Sequence, residues 1–126
     1  MNQTPVFDAG TLIALERRPA RIQAVVQQAR ARHVSIIMPT GVVAQVVRTG
    51  GRQANVRRFL SDPALRFAEL DYLTAVAIGR LLGNSSTSDV IDAAVVLCAQ
   101  RNGAPAVTSD PADLRKLDPE IPLIEL

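Results

Sequence analysis

The sequence predicts an α/β fold, a three-layer α/β/α sandwich around a central, mainly parallel sheet of about five strands. Short β-branched segments alternate with longer segments of helical apolar spacing along the whole chain. Such alternation is typical of βαβ units, which place helices on both faces of a parallel sheet. The 126 residues contain no repeat, low-complexity tract or Gly/Ser linker, so we predict one domain, residues 1–126.

The first half of the chain predicts two strands and four helices. A buried strand, TPVF, ends at Asp8 and is followed by the helix AGTLIALERR. Pro19 suits the first turn of a second helix, because its missing N–H costs nothing there. The segment HVSIIM predicts a strand stopped by Pro39, after which Thr40 caps the helix GVVAQVVR. A Gly50–Gly51 pair interrupts the chain before the helix RQANVRRFL.

The second half continues the alternation and completes the sheet. LRFAEL predicts a third strand, and Asp71 caps the helix YLTAVAIGRLLG. A polar turn, NSSTS, leads to a helix from Asp89 to about Gln100. PAVTS is a fourth strand, DPADLRKL is a short helix with Pro111 in its first turn, and PLIEL is the last strand.

The composition predicts a soluble protein of the cytoplasm that does not associate with membranes. The apolar run AAVVLCA is far shorter than the roughly 20 residues that span a bilayer. The N-terminal residues lack the basic start and apolar stretch of a signal peptide. The single cysteine, Cys98, excludes an internal disulfide and implies no metal cluster.

Charge is distributed unevenly between the two halves. Residues 1–60 hold nine arginines against two acids, whereas residues 61–126 hold five basic residues against ten acids. Arginine suits bidentate contact with phosphate. The pattern therefore favours an anionic partner held beside a cluster of acids, although a solvated, arginine-rich surface would produce the same pattern. With 3% aromatic residues, phosphate contact rather than base stacking would dominate nucleic-acid binding.

Several carboxylates are expected at one edge of the sheet. Ligands of parallel sheets bind beyond the carboxyl ends of the strands, near the point where strand order reverses. Asp8 ends the first strand and Asp110 ends the fourth, while Asp89 and Asp92 begin the helix that leads into the fourth. Asp113 lies one turn beyond Asp110.

Each of these acids except Asp8 has a purely structural interpretation. Asp89 is placed to cap its helix, and Asp92 lies in the first turn, where the helix dipole favours negative charge. Asp110 before a proline is a good N-cap, and Asp113 completes a spacing like that of a capping box. Asp8, at the end of a buried strand, instead needs a partner that makes its charge tolerable.

Carboxylates gathered in one place either hold a proton or bind a cation. Oxygen ligands without His or Cys favour Mg²⁺ or Mn²⁺. Such ions activate water and neutralise charge on a phosphodiester. We therefore expect Asp92 to face a metal, while Asp89 caps the helix or adds an outer acceptor.

The chain resembles PIN-domain ribonucleases, specifically the VapC-type toxins of VapBC toxin–antitoxin pairs. The matching segments are VFDAGTLIALERR, PTGVVAQVVR, SDVIDAAVVLCAQRNGAPAVTSDPADL and the terminal strand. The resemblance implies a PIN-like sandwich and a Mg²⁺- or Mn²⁺-dependent endoribonuclease, a hydrolase leaving 5′-phosphate and 3′-hydroxyl ends. It also implies a homodimer silenced by a VapB-like antitoxin.

The resemblance assigns roles to individual residues. It places Asp8, Asp92 and Asp110 at the metal and in catalysis, with Asp113 as a fourth acid. Asp89 is a further candidate ligand because of its position beside Asp92, and the resemblance does not assign it. Thr11 matches a hydroxyl position that could hold Asp8 or a water on the metal, although it would equally suit the first turn of a helix. The candidates for contact with RNA or antitoxin are Arg17, Arg18, Arg48 and Arg52.

One position departs from the family. The helix PTGVVAQVVR normally carries a glutamate where this chain has Gln45, and an amide offers no anionic oxygen. Either Asp89 compensates, or the site binds one metal, or it is inactive. The alternative function is therefore a non-catalytic PIN-like module that binds RNA or protein.

Other α/β families that have an acid at the end of a strand fit this sequence less well. A phosphatase of the haloacid-dehalogenase type needs a second acid where this chain has Gly10, and a dinucleotide site needs more glycines than DAGTL supplies. A receiver domain needs paired acids after its first strand and a lysine after its last strand, and this chain has neither. The lone His33 has no acid or serine partner nearby in sequence, and we interpret it as a surface or strand-edge residue.

Overall fold

The computed structural model describes residues 4–17, 19–85 and 87–126. Arg18, one of the candidate contact residues, lies outside these residues. The described elements alternate as predicted, in the order β1 (Val6–Phe7), α1 (Ala9–Arg17), α2 (Pro19–Ala31), β2 (Ile36–Pro39), α3 (Thr40–Val46), α4 (Ala54–Leu60), β3 (Leu65–Ala68), α5 (Tyr72–Gly83), α6 (Val90–Asn102), β4 (Ala106–Thr108), α7 (Pro111–Leu117) and β5 (Leu123–Glu125).

The five strands form one sheet in the order β3-β2-β1-β4-β5, and every pairing is parallel. On one side α1 packs against α2 and α4, and on the other α6 packs against α5 and α7. The helix α3 contacts both α1 and α6, so it stands between the two helical layers at the end of β2. This arrangement confirms the predicted three-layer α/β/α sandwich.

The core lies between the sheet and its helices, and the central strands β1, β2 and β4 are almost completely buried. Phe7 of β1 stacks on Phe59 of α4, with ring centroids 5.5 Å apart. The apolar residues of α6 that were predicted as one run lie against the opposite face. Fully buried strands explain why these segments are continuous apolar runs and do not alternate.

Thr40 does not cap α3, which contradicts the prediction. The extended N-cap residue is Pro39, and Thr40 is already helical. The Thr40 hydroxyl instead accepts the Leu70 N–H at 3.2 Å, which ties the end of β3 to α3. Pro39 also belongs to β2, where its missing N–H is tolerated because β1 pairs with β2 only at Ile37.

Asp71 and Asp89 cap their helices as predicted. The Asp71 carboxylate accepts the Thr74 N–H at 2.8 Å, and the Asp89 carboxylate accepts the Asp92 N–H at 2.9 Å. The contact with Thr74 holds the pKa of Asp71 below its usual value. Gly50 and Gly51 both have positive φ angles, near 75° and 72°, which explains the glycine pair between α3 and α4.

Candidate metal centre

The strand order reverses between β1 and β4, and the acids predicted at strand ends gather there. From β1 the chain moves to β2 and β3 on one side, and then returns to β4 on the other side of β1. Asp8 directly follows β1, and Asp110 follows β4 with Ser109 between. The register pairs Phe7 with Val107, so both chains leave the sheet at the same edge. This is the edge where ligands of such sheets bind.

Asp8 is the buried acid of this group. Only 6% of it is exposed, and its Oδ1 accepts the Thr11 N–H at 2.8 Å. That bond is of the kind made by helix N-caps, and the positive end of α1 further stabilises the carboxylate. The fold thus keeps a carboxylate at the end of the central strand and holds it in one orientation.

Thr11 supports this arrangement through two different atoms. Its backbone N–H, and not its hydroxyl, contacts Asp8. The hydroxyl is fully buried and donates to the carbonyl oxygen of Val107 in β4 at 2.6 Å. The described contact of the hydroxyl is therefore with the sheet, and it locks the first turn of α1 onto β4.

Asp89 and Asp92 are close in sequence but have different surroundings. Asp89 is exposed and uses its carboxylate as the N-cap of α6. Asp92 is half-buried, and its pKa rises to about 6 because of burial first and then because of the negative charges of four neighbouring acids. In decreasing order of effect these neighbours are Asp89, Asp113, Asp8 and Asp110. Each of these four acids therefore lies close enough to Asp92 to interact with it.

Asp110 stands at the N-cap position of α7, but its side chain makes no capping hydrogen bond. Its backbone N–H donates to the Thr108 hydroxyl at 2.9 Å, and its carboxylate is left free to meet Asp113. A side-chain hydrogen bond to Asp113, and the charge of Asp113, raise the pKa of Asp110. Asp113 in turn has Lys116 at 3.5 Å from its carboxylate. The capping-box interpretation of this pair is thus not supported.

Among the described residues, no three His, Cys, Asp or Glu side chains lie close enough together to enclose a metal ion as they stand. The donor set nevertheless fits Mg²⁺, which is usually held by one or two carboxylates, with waters and substrate phosphate completing its shell. Burial and the neighbouring acids raise the pKa of Asp92, and the hydrogen bond and charge of Asp113 raise the pKa of Asp110. The residues therefore suit a small divalent cation with water in most of its positions.

Gln45 lies on α3, the helix between the two layers, and is exposed. Gly41 lies one turn earlier on the same side of this helix and is close to Ile91, the neighbour of Asp92. A Cβ built on Gly41 would lie 3.0 Å from the Ile91 side chain. Arg48 lies two residues beyond the end of this helix, and its guanidinium donates to the carbonyl oxygens of Ala44 and Val47 at 3.1 and 2.7 Å. Arg48 thus has a structural role besides the predicted contact with a partner.

Two arginines predicted to contact RNA or antitoxin lie around the exposed side chain of Ile13. Arg17 and Arg52 line a cavity of about 370 Å³ that also contacts Glu16. The Glu16 carboxylate on α1 accepts the Val56 N–H at 2.9 Å, so it provides a hydrogen-bond partner for a backbone N–H in the first turn of α4. A second cavity beside Ile13 contains Arg21 and Ser109, which the sequence had not indicated as functional.

No helix in the described part of the chain is both long and apolar enough to cross a membrane.

Comparison with known proteins identifies the fold. No protein-family model matches the sequence, and no curated protein is significantly similar to it. Among solved structures, VapBC2 from Rickettsia felis bound to a DNA fragment from its promoter is similar over 97% of this chain and 98% of the other chain, with a TM-score of 0.70 and 15% identity. FitAB bound to an IR36 DNA fragment is similar over 97% of this chain and 94% of the other, with a TM-score of 0.66 and 14% identity. The chain thus has the α/β fold of these VapBC and FitAB proteins, as its resemblance to PIN-domain toxins predicted.

Proposed function

We propose that this protein is a Mg²⁺- or Mn²⁺-dependent endoribonuclease that acts as the toxin of a toxin–antitoxin pair. The observation that carries the proposal is the position of Asp8 and Asp110 at the edge where the strand order reverses, with Asp92 beside them in the first turn of α6. Burial and the four surrounding carboxylates also raise the pKa of Asp92. Such a gathering of like charges is costly unless a cation is present when the protein works. Perturbed carboxylates at a strand-order reversal are typical of a functional site.

Asp8, Asp92 and Asp110 would hold the cation, and Asp113 and Asp89 would be within reach as further acceptors. Bound there, the cation would activate water and neutralise charge on the phosphodiester. The Thr11 N–H holds Asp8 in one orientation, so Asp8 would be the fixed ligand of the cation. Water attacks phosphorus in line and the bond to the 3′-oxygen breaks, which leaves 5′-phosphate and 3′-hydroxyl ends.

The variant Asp8→Asn tests this proposal. The amide keeps the shape of the side chain and can still accept the Thr11 N–H, so the fold should persist while the cation site loses a charge. We expect cleavage of total RNA in the presence of Mg²⁺ to disappear, and circular dichroism to stay unchanged. Glu120→Gln, an equal change of charge at an exposed residue in the turn before β5, is the matched control. Undiminished cleavage by Asp8→Asn would refute the assignment.

The same proposal includes partners. The neighbours in fold are the VapBC2 and FitAB proteins, which supports a VapB-like antitoxin for this chain too. A homodimer acting on RNA in the cytoplasm completes the proposal. Copurification of an antitoxin encoded beside this protein, together with loss of RNA cleavage in the complex, would test the partnership.

A second candidate is a non-catalytic PIN-like module that binds RNA or protein. It is favoured by Gln45, which supplies no negative charge, and by the absence of a closed group of three acids among the described residues. The two candidates differ in one readout. The nuclease cleaves RNA with Mg²⁺ and stops in EDTA, whereas the binding module retains RNA or partner affinity without any cleavage.

A further inference from the structure

The cavity beside Ile13 that contains Arg21 and Ser109 lies next to Asp8, because Gly10 lines it. Its volume is about 260 Å³, and Gly10, Ser109, Arg17 and Arg21 contribute its polar part. A Cβ built on Gly10 would lie 3.4 Å from the Ser109 hydroxyl and 3.7 Å from Asp8 Oδ1. Gly10, which has no side chain, therefore lies close both to the Ser109 hydroxyl of this cavity and to the Asp8 carboxylate.

The two arginines of this cavity have their guanidinium groups available. Arg17 ends α1 and Arg21 lies in the first turns of α2, and both are exposed. Among the described residues, neither takes part in an ion pair or a side-chain hydrogen bond, whereas Arg30 on the same helix is paired with Asp62. Free guanidinium groups on adjacent helices can contact one phosphate through several N–H donors.

A binding site for RNA needs such cations at this place. Five carboxylates repel an approaching phosphodiester backbone, and one divalent cation offsets only part of that charge. The Ser109 hydroxyl adds a neutral donor, and the partly exposed Ile13 adds an apolar wall against which a ribose can pack. An acidic peptide would use the two arginines but would gain nothing from the open passage to Asp8.

We propose that this cavity binds the phosphate next to the scissile one in the RNA substrate, with Arg17 and Arg21 as its cationic contacts and Ser109 as a donor. The inference rests on the proposed nuclease function and extends it to the path of the RNA strand. From the cavity the strand passes over Gly10, and the following phosphodiester then lies at Asp8. A side chain at residue 10 would narrow this passage.

The test measures binding of a fluorescently labelled, short single-stranded oligoribonucleotide in EDTA, so that the strand stays intact. Arg21→Gln should weaken binding about tenfold and lower the slope of log affinity against log salt by about 0.7, the value expected for one phosphate contact in a single strand. Arg32→Gln is the matched control: the same charge is removed just beyond the other end of α2, roughly 16 Å along the helix axis. The control should change both quantities much less.

Oligonucleotides carrying one neutral methylphosphonate at successive linkages identify the contacted phosphate. At one linkage the neutral group should weaken binding to the native protein but have little further effect on Arg21→Gln, because the same contact is already lost. If the losses in affinity caused by the methylphosphonate and by Arg21→Gln add fully at every linkage, the inference is overturned. Equal binding of RNA by Arg21→Gln and Arg32→Gln would also overturn it, and this result is what a site for acidic peptides would give.

Failure of this inference can be told apart from failure of the nuclease proposal. Cleavage of the same oligonucleotide in Mg²⁺ combined with Arg21-independent binding refutes the phosphate site and leaves the nuclease intact. Arg21-dependent binding without any cleavage refutes the nuclease and leaves the phosphate site.

Discussion

Replacement of Asp92 by asparagine should stabilise the folded protein above neutral pH in the absence of metal. The pKa of Asp92 rises from 3.8 to about 6 through burial and the charges of its acidic neighbours. Ionised Asp92 is therefore destabilising in the folded state. Asparagine has nearly the same shape and carries no charge, so it removes this cost.

The sign and size of the effect follow from linkage. Between pH 4 and pH 6 the folded state binds more protons at Asp92 than the unfolded state, so the free energy of unfolding falls as the pH rises, and above about pH 6 the loss is complete. The shift in pKa alone would correspond to about 3 kcal/mol. Because Asp92 is only half-buried and several neighbours are exposed, solvent screening reduces this upper bound to about 1 kcal/mol, or about 4 °C in Tm.

The assay is thermal unfolding of the native protein and of Asp92→Asn in EDTA, from pH 4 to pH 8. The difference in Tm should be small near pH 4 and should grow through pH 6. Glu120→Gln, the exposed control, should follow the native protein. Added Mg²⁺ should raise the Tm of the native protein at pH 7.5 but have less effect on Asp92→Asn, because a ligand stabilises the state that binds it. Destabilisation by Asp92→Asn at pH 8 in EDTA would refute the reasoning.

The remaining predictions concern Gln45 and Thr11. Gln45→Glu should tighten Mg²⁺ and Mn²⁺ binding in calorimetric titrations, because it adds a negative charge on α3, the helix between the two layers. Asp89→Asn should leave the metal affinity nearly unchanged, because Asp89 caps α6. The opposite pattern would place the ligand role on Asp89. Thr11→Val should lower the free energy of unfolding by about 1 kcal/mol through loss of the buried bond to Val107, whereas Thr49→Val in the exposed turn should have little effect in the same urea titration.

Local patterns predicted most of the fold. The elements depend on apolar spacing, on proline and glycine positions and on capping residues, all of which act within a few residues along the chain. Asp71 and Asp89 show this directly, since each cap contacts a backbone N–H three residues later. Thr40 was mispredicted because Pro39 has the extended conformation of a cap while still pairing with β3, so the helix begins one residue earlier.

The acids of the candidate site could be predicted because each follows a strand or begins a helix. Strand ends meet at one edge whatever the details of packing, so Asp8 and Asp110 were expected together. What each side chain does was less predictable. The structural alternative for Asp110, a cap on α7, is not observed, because its carboxylate is close to Asp113, and this depends on a backbone angle that the sequence does not reveal.

The cavity beside Asp8 could not be predicted at all from local patterns. Gly10 and Ser109 are 99 positions apart in the sequence, and their contact exists only because β1 and β4 are neighbours in the sheet. Arg21 gives no sequence signal beyond its charge, since the first half of the chain is rich in arginine. Only the approach of α1 to α2 makes it a partner of Arg17.

The candidate site combines one fixed carboxylate with several that can adjust. Asp8 is buried and bound to the Thr11 N–H, and the Thr11 hydroxyl ties that turn to β4, so the fold determines where this acid lies. Asp110 is exposed and Asp92 is half-buried. Burial and then the charges of the other acids raise the pKa of Asp92, and the hydrogen bond and charge of Asp113 raise the pKa of Asp110. Without a cation the lowest energy therefore keeps these carboxylates apart or partly protonated. A divalent cation would offset this repulsion and draw the adjustable acids toward Asp8.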